Sequence, residues 1–168
     1  MKEKPLKHNH PWRVDLPLVL LLLIVLTQVV LRPTGPHPLV GRDAPGFILE
    51  DHHGRAVAVP SGRVALVQFQ PARCRTCPAN RKVLDLLQRM HGRQVQVITV
   101  TEPGPGRLAH AGHLEVHDVG ARVSRQYGTT GQPLTVLIGK EGKVLWVHRG
   151  AFTSFAAREA LKRVGLAR

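Results

Sequence analysis

Residues 64–100 carry the pattern that most constrains the fold: a buried strand, an amphipathic helix and a second strand in direct succession. The run VALVQF at Val64–Phe69 is almost continuously apolar and has the length of a buried strand. In Cys77–Met90 the apolar residues recur every three or four positions, which predicts a helix packed through one face. QVQVITV at Gln94–Val100 predicts a strand that can pair in parallel with the first, because the helical crossover is long enough. The sequence therefore predicts an α/β fold built on a βαβ unit.

Shorter patterns on either side complete a predicted mixed sheet flanked by helices. An N-terminal hairpin is predicted at Phe47–Leu49 and Val57–Val59, around the turn sequence DHHG. The alternation in His113–His117 predicts an edge strand with one polar face. The remaining predicted elements are a helix at Asp118–Gln126, strands at Leu134–Ile138 and Val144–Val147, and a closing helix at Ser154–Val164 capped near Thr153. The predicted order is βαβ followed by ββα.

The N-terminal region contains an apolar segment of a different kind. Val14–Leu31 has eighteen residues, and its only charged residue is Asp15. A helix of this length nearly spans a bilayer. Four basic residues precede it and only Arg32 follows directly, so the positive-inside rule places the N-terminus in the cytoplasm. We expect a retained transmembrane anchor; the alternative is a cleaved secretory signal, although no Ala-x-Ala-like site follows the apolar run.

This segment divides the chain into four predicted parts. They are a cytoplasmic N-terminus at 1–13, a transmembrane anchor at 14–31, a linker at 32–40 and one exported domain at 41–168. The formal net charge is +13, but aromatic residues make up only 4% of the chain and no basic stripe is interleaved with them. Nucleic acid is therefore not expected as a partner. Solvation by arginine is the simpler interpretation of the charge, and an anionic partner such as lipid headgroups is the alternative.

The two cysteines, Cys74 and Cys77, lie between the first buried strand and the helix that follows it. A bridge between them closes too small a loop to stabilise a fold, so the pair indicates redox or metal chemistry. A thiolate at a helix N-terminus is favoured by the helix dipole, and the charges of Arg73 and Arg75 favour it further. We expect Cys74 to be the attacking thiolate and Cys77, one turn later and facing inward, to resolve the mixed disulfide.

Metal binding is the second function class that a CxxC pair permits, and it requires two further ligands. His110, His113 and His117 would share a helical face, but Gly112 interrupts that helix, whereas a strand aligns His113, Glu115 and His117. The alternative function is thus a copper- or zinc-binding module that uses both thiolates with His113 or His117. In the redox interpretation we expect no cofactor and no resident metal. His52 and His53 are expected in an exposed turn.

Three longer motifs, VGRDAPGFILEDHHG, VALVQFQPARCRTC and YGTTGQPLTVLIGKEGKVLWVHRG, together cover much of the exported part. Over roughly 40–164 the chain resembles the thioredoxin superfamily, specifically the membrane-anchored TlpA/ResA/DsbE-type thiol-disulfide oxidoreductases, and in layout the ScsD-type enzymes associated with copper tolerance. The resemblance implies a thioredoxin fold in the periplasm or extracytoplasmic space, anchored in the bacterial inner membrane. It further implies exchange of a Cys74–Cys77 disulfide with protein thiols or disulfides, and a membrane or soluble redox partner.

The same resemblance implies roles for residues around the cysteines. Pro133 would be a cis-proline that faces them, and the backbone of Gln132 would pair with a bound substrate strand. Arg73, Arg75 and Thr76 would contact the substrate.

The chain also departs from the family pattern at three positions. Arg73 stands where the family usually has Trp, Gln68 where thioredoxins carry a buried acid, and Asn80 where some cytochrome-maturation members have Glu. Neither amide can accept a proton from Cys77, which favours oxidation or isomerisation over dedicated reduction. The peroxiredoxin pattern Pro-x3-Thr/Ser-x2-Cys and the CxxxC pattern of copper-delivery proteins are not matched.

Overall fold

The computed structural model describes residues 16–30, 37–101 and 112–167. These residues fall into two units, Met1–Pro36 and His37–Arg168. The elements of the second unit are β1 (Phe47–Asp51), β2 (Ala56–Val59), β3 (Val64–Gln70), α2 (Cys77–His91), β4 (Val95–Thr101), β5 (Leu114–His117), a 3₁₀ turn (Val119–Ala121), α3 (Arg122–Gln126), β6 (Leu134–Ile138), β7 (Val144–Arg149) and α4 (Ser154–Lys162).

The first unit contributes one described element, helix α1 (Leu16–Val30). Its described side chains, from Leu16 to Gln28, are exposed and mostly apolar. Within the described ranges, no helix has both the length and the apolar character needed to cross a membrane. The predicted anchor 14–31 extends past this helix at both ends, and those end residues lie outside the described part of the chain.

Seven strands of the described residues form a single sheet in the order β2-β1-β5-β4-β3-β6-β7. The pairs β3–β4 and β4–β5 are parallel, and β3 with β6 and β6 with β7 are antiparallel. This confirms the predicted βαβ unit and the later ββα unit. All seven residues of β3 are buried, as its continuous apolar run predicts for a strand with neighbours on both sides and helices on both faces.

Strand β5 was predicted at a sheet edge, and this prediction was wrong. Its outer side pairs with the N-terminal hairpin, where Glu50 lies opposite His117 and Asp51 opposite Val116. The polar alternation that suggested an edge has another cause: His113 and Glu115 are buried and make polar contacts with α2. Because β5 pairs with β1 on one side and β4 on the other, neither of its edges is left unpaired.

The two faces of the sheet carry separate apolar clusters. On one face Phe69 lies against Tyr127, with ring centroids 4.4 Å apart, and the Tyr127 hydroxyl donates to the Pro45 carbonyl at 2.8 Å. On the other face Leu84 and Leu87 of α2 pack with Phe152 and the alanines of α4. The α4 cap is as predicted, because Thr153 Oγ1 accepts from the Ala156 N–H at 3.2 Å. Helix α2 is thereby fixed above the end of β3, where the cysteines lie.

Candidate active site

Cys74 and Cys77 are joined in a disulfide at the C-terminal end of β3, with their Cα atoms 5.5 Å apart. Cys77 is the first residue of α2 and is buried, whereas Cys74 is partly exposed. The N-cap of α2 is Thr76, so Cys74 lies two residues before the cap, and its Sγ is 3.8 Å from Thr76 Oγ1. Only Cys77 therefore occupies the predicted position in the helix, and Cys74 is the sulfur that a partner can reach.

A groove of about 500 Å³ opens at Cys74. One wall is the segment that carries the cysteine, and the other is formed by the turn before β6 and the loop after β7. The lining residues are Arg73, Cys74, Arg75, Thr76, Gly131, Gln132, Pro133, Gly150 and Ala151. The structure thus brings together Cys74, Pro133 and the four residues predicted to contact substrate, and Cys77 lies buried beside them.

The prediction that Pro133 follows a cis peptide bond was wrong. In the described ranges the cis bond is Val59–Pro60, and the bond between Gln132 and Pro133 is trans. Trans is the lower-energy form of an X-Pro bond, and the preceding turn is made by Gly131 with a φ of +62°. The Gln132 N–H donates to the Thr130 carbonyl at 2.7 Å, so this N–H, which was expected to pair with substrate, has an internal acceptor.

The far wall of the groove is tied to α2 by Asn80, a contact that the sequence interpretation missed. Asn80 is buried; its Oδ1 accepts from the Phe152 N–H at 2.8 Å and its Nδ2 donates to the Gly150 carbonyl at 3.4 Å. The Gly150 N–H in turn donates to the Pro133 carbonyl at 2.7 Å. A continuous set of hydrogen bonds therefore runs from the cysteine-bearing helix to Pro133.

A sequence signal for this wall existed in the motif HRG at the end of β7. Gly150 has a φ of +90°, a conformation that glycine adopts far more readily than other residues, so the glycine marks a sharp turn after the strand. The neighbouring Ala151 carbonyl lies 2.9 Å from His148 Nε2. The partner of the turn, however, is a helix residue seventy positions away, which no local pattern reveals.

Gln68 is fully buried at the predicted strand position. Its Nε2 donates to Thr135 Oγ1 at 2.9 Å, and its Oε1 accepts from Gln70 Nε2 at 3.0 Å. Both polar atoms of the side chain thus have partners within the sheet. Gln68 therefore belongs to a layer of buried polar side chains beneath α2, and it places an amide there instead of an ionised group.

The same layer contains His113, whose side chain is fully buried. Its Nδ1 lies 2.6 Å from Asp85 Oδ1 on α2, and its Nε2 lies 2.6 Å from Thr99 Oγ1 on β4. Burial lowers the pKa of His113 by disfavouring the charged form, although the neighbouring Asp85 acts in the opposite direction. Next to it, Glu115 pairs with Arg81 of α2 at 3.3 Å. These residues fasten α2 to β4 and β5.

The histidines give no support to the metal-binding alternative. Both ring nitrogens of His113 have polar partners, and His117 Nδ1 lies 3.5 Å from Thr101 Oγ1. Across the described ranges, no group of three or more His, Cys, Asp or Glu side chains is arranged to hold a metal ion. His110 lies outside those ranges. His52 and His53 are exposed in the β1–β2 turn, as predicted.

Comparison with known sequences identifies distant relatives of one kind. No protein-family model matches the chain. The thiol-disulfide oxidoreductase ResA of Bacillus thuringiensis subsp. konkukian is 22% identical over 135 residues, which cover 74% of this chain and 78% of ResA.

Solved structures show the same similarity in three dimensions. A proposed thiol:disulfide interchange protein DsbE from Chlorobium tepidum has a TM-score of 0.65 and 24% identity, covering 74% of this chain and 94% of its own. StoA from Bacillus subtilis has a TM-score of 0.60 and 16% identity, covering 73% of this chain and 98% of its own. The chain has the thioredoxin-like α/β fold of these structures. This confirms the predicted fold, and the names of the relatives agree with the predicted resemblance and enzyme class.

Proposed function

We propose that the protein is an extracytoplasmic thiol-disulfide oxidoreductase that exchanges its Cys74–Cys77 disulfide with cysteines of partner proteins. The observation that carries this proposal is the contrast within the disulfide: Cys74 is partly exposed at an open groove, whereas Cys77 is buried. Attack on a disulfide requires access to one sulfur and a second thiol held in reach to complete the exchange. The similarity to named thiol-disulfide oxidoreductases supports the same activity.

The exchange consists of two thiolate attacks. A partner thiolate attacks the Cys74 sulfur, the Cys74–Cys77 bond breaks, and Cys77 leaves as a thiolate. A second partner thiolate then attacks the partner sulfur of the mixed disulfide and releases Cys74 as a thiolate. The partner gains a disulfide, and the protein takes up two electrons as a dithiol, which a separate redox partner must reoxidise. The reverse sequence, in which Cys74 attacks and Cys77 resolves, reduces a partner disulfide.

The groove residues supply contacts for the partner in this proposal. Pro133 and Gln132 present the wall that faces Cys74, and Arg73, Arg75 and Thr76 surround the sulfur on its own side. The hydrogen bonds from Asn80 to the loop after β7 keep the two walls at a fixed separation. A partner chain that enters the groove would therefore meet a preformed surface.

The proposed location rests on the N-terminal sequence. The apolar run at 14–31 and the basic residues before it are typical of a single-pass anchor with its C-terminal domain outside the cytoplasm. Protease added to spheroplasts should digest the 41–168 domain while a cytoplasmic control protein stays intact. A protected domain would exclude this topology, and a mature N-terminus within 27–40 would exclude the anchor.

Two variants test the exchange itself. Cys74→Ser should abolish exchange, because the accessible sulfur is removed, whereas Cys77→Ser should accumulate mixed disulfides that cannot be resolved. Non-reducing gels of each variant, with and without a thiol scavenger, distinguish the two results. Equal exchange by the wild-type protein and Cys74→Ser toward a model disulfide would exclude the proposed activity.

A further inference from the structure

The groove at Cys74 is strongly asymmetric in charge. Arg73 and Arg75, the residues before and after the partly exposed Cys74, are both exposed and both line it. The rest of the lining is polar but uncharged or apolar, and it contains no acidic residue. An entering polypeptide therefore meets two positive charges in the groove that contains the reacting sulfur.

Two acidic groups of the described residues at this end of the sheet are directed inward. Glu115 is buried and binds Arg81 and Thr101. Asp118 is also buried and accepts hydrogen bonds from the Val123 and Ser124 N–H groups and the Ser124 hydroxyl. Neither carboxylate is presented to the groove to offset the two arginines.

Glu50 is exposed at the groove end of the sheet, but it lies on β1, three strands away from β3. Two further exposed acids lie at the opposite end of the sheet. Asp43 pairs with Lys143 beside the β6–β7 turn, and that turn also contains Glu141. Strands β6 and β7 run between this turn and the groove, since β6 begins just after Pro133 and β7 ends just before Gly150. The positive field at Cys74 is thus separated from these carboxylates by the length of the strands.

The Gln132 N–H donates to the Thr130 carbonyl, so this backbone group is not free to pair with an entering polypeptide. We infer that the groove selects polypeptide partners that carry acidic residues beside the reacting cysteine. This inference rests on the proposed exchange activity and adds the substrate class. Charges at the rim of a binding site mainly set the association rate and its dependence on salt.

The test uses two synthetic disulfide-linked heptapeptides, each a homodimer through a central cysteine that is flanked by two Glu or by two Lys. The reduced full-length protein attacks either peptide through Cys74, and Cys77 then displaces the second peptide thiol. Dithiothreitol, a neutral dithiol, gives the intrinsic rate ratio of the two peptides. Relative to that ratio, we expect the wild-type protein to favour the Glu peptide by about tenfold at low ionic strength. The preference should shrink in 0.5 M salt because of screening.

The double variant Arg73→Gln/Arg75→Gln should lose the preference. Both side chains are exposed, so the fold should survive, which circular dichroism can verify. The matched control is Arg93→Gln/Arg163→Gln, which removes the same charge from exposed positions outside the groove and should keep the preference. Comparing peptide ratios removes any general effect of the arginines on the reactivity of Cys74.

The outcomes separate this inference from the activity on which it rests. A wild-type ratio equal to that of dithiothreitol, or an unchanged preference in Arg73→Gln/Arg75→Gln, would overturn acidic selection and leave the exchange activity standing. Failure of the wild-type protein to react with either peptide would overturn the exchange activity, and acidic selection with it.

Discussion

Asn80 and Phe152 are joined by a hydrogen bond of 2.8 Å, in which the buried side-chain Oδ1 of Asn80 accepts the backbone N–H of Phe152. The same side chain donates to the Gly150 carbonyl, and Gly150 lines the groove at Cys74. A single amide on the cysteine-bearing helix thus fixes the loop that forms the opposite wall. Removing it would leave the Phe152 N–H buried without an acceptor.

We therefore expect Asn80→Ala to lower the free energy of unfolding by about 1–3 kcal/mol, the usual cost of an unpaired buried polar group. It should also slow disulfide exchange, because the far wall of the groove loses its link to α2. Urea denaturation and the exchange rate with a model disulfide measure the two effects.

The control for this prediction is Gln94→Ala, an exposed amide in the turn before β4, which should change stability by less than about 0.5 kcal/mol. If Asn80→Ala were as stable and as active as this control, the loop would not depend on Asn80.

Pro133 lines the groove, and its carbonyl accepts from the Gly150 N–H at 2.7 Å. Alanine retains that carbonyl. We expect Pro133→Ala to slow exchange with a peptide disulfide more than it lowers stability, because the wall facing Cys74 changes while the hydrogen bond remains. Parallel urea melts and exchange rates test this. A large loss of stability with an unchanged rate per folded molecule would indicate a purely structural proline.

Much of the fold is predictable from the sequence because its core elements are local patterns. The continuous apolar run of β3 and the three- and four-residue spacing in α2 correspond to observed elements within one or two residues. The two cysteines follow from the same patterns, since they lie between those elements. Arg73, Arg75 and Thr76 reach the groove simply because they are neighbours of Cys74 in the chain.

The errors concern relationships between distant parts of the chain. The position of β5 depends on pairing with β1, more than sixty residues earlier, and its polar face resembles that of an edge strand. The role of Asn80 depends on a loop seventy residues later. The Pro133 carbonyl accepts from the Gly150 N–H, seventeen residues later, and no local proline pattern specifies this contact.

The buried His113 predicts a dependence of stability on pH. Its pKa is lowered in the folded protein, mainly because burial disfavours the charged ring; Asp85 and Glu115 oppose this and Arg81 reinforces it. The unfolded chain, with an ordinary histidine pKa near 6.5, therefore binds more protons than the folded protein once the pH falls below that value. The folded protein is therefore most stable with respect to His113 above about pH 6.5. Its free energy of unfolding declines as the pH falls from there toward the lowered pKa of His113 in the folded state.

We expect the free energy of unfolding of wild-type protein to fall between pH 7.5 and pH 5 more steeply than that of His113→Gln. The glutamine cannot take up a proton in this range. The control is His52→Gln, which removes an exposed imidazole in the β1–β2 turn and leaves the buried ring of His113 in place. Urea melts at four pH values measure the slopes. Equal slopes for wild type and His113→Gln would show that His113 does not couple folding to protonation.

The last prediction concerns the direction of electron transfer, and it depends on the charges near Cys74. Cys74 precedes the N-cap of α2 by two residues, so Arg73 and Arg75 are the charged groups closest to it in the chain and line the same groove. Both should stabilise its thiolate in the reduced protein. Stabilising the reduced form makes the disulfide a stronger oxidant, so we expect a reduction potential above the roughly −270 mV of thioredoxin.

The buried amides act in the same direction. Gln68 has partners for both of its polar atoms, and Asn80 is bound to the loop after β7, so neither side chain is a base for the proton of Cys77. Fast reductive release would need such a base. Equilibration with glutathione redox buffers should therefore give an oxidising potential, lowered in Arg73→Gln/Arg75→Gln and unchanged in Arg93→Gln/Arg163→Gln. A wild-type potential at or below that of thioredoxin would refute the oxidant assignment, whatever the pKa of Cys74, because the potential alone sets the equilibrium direction against a given partner.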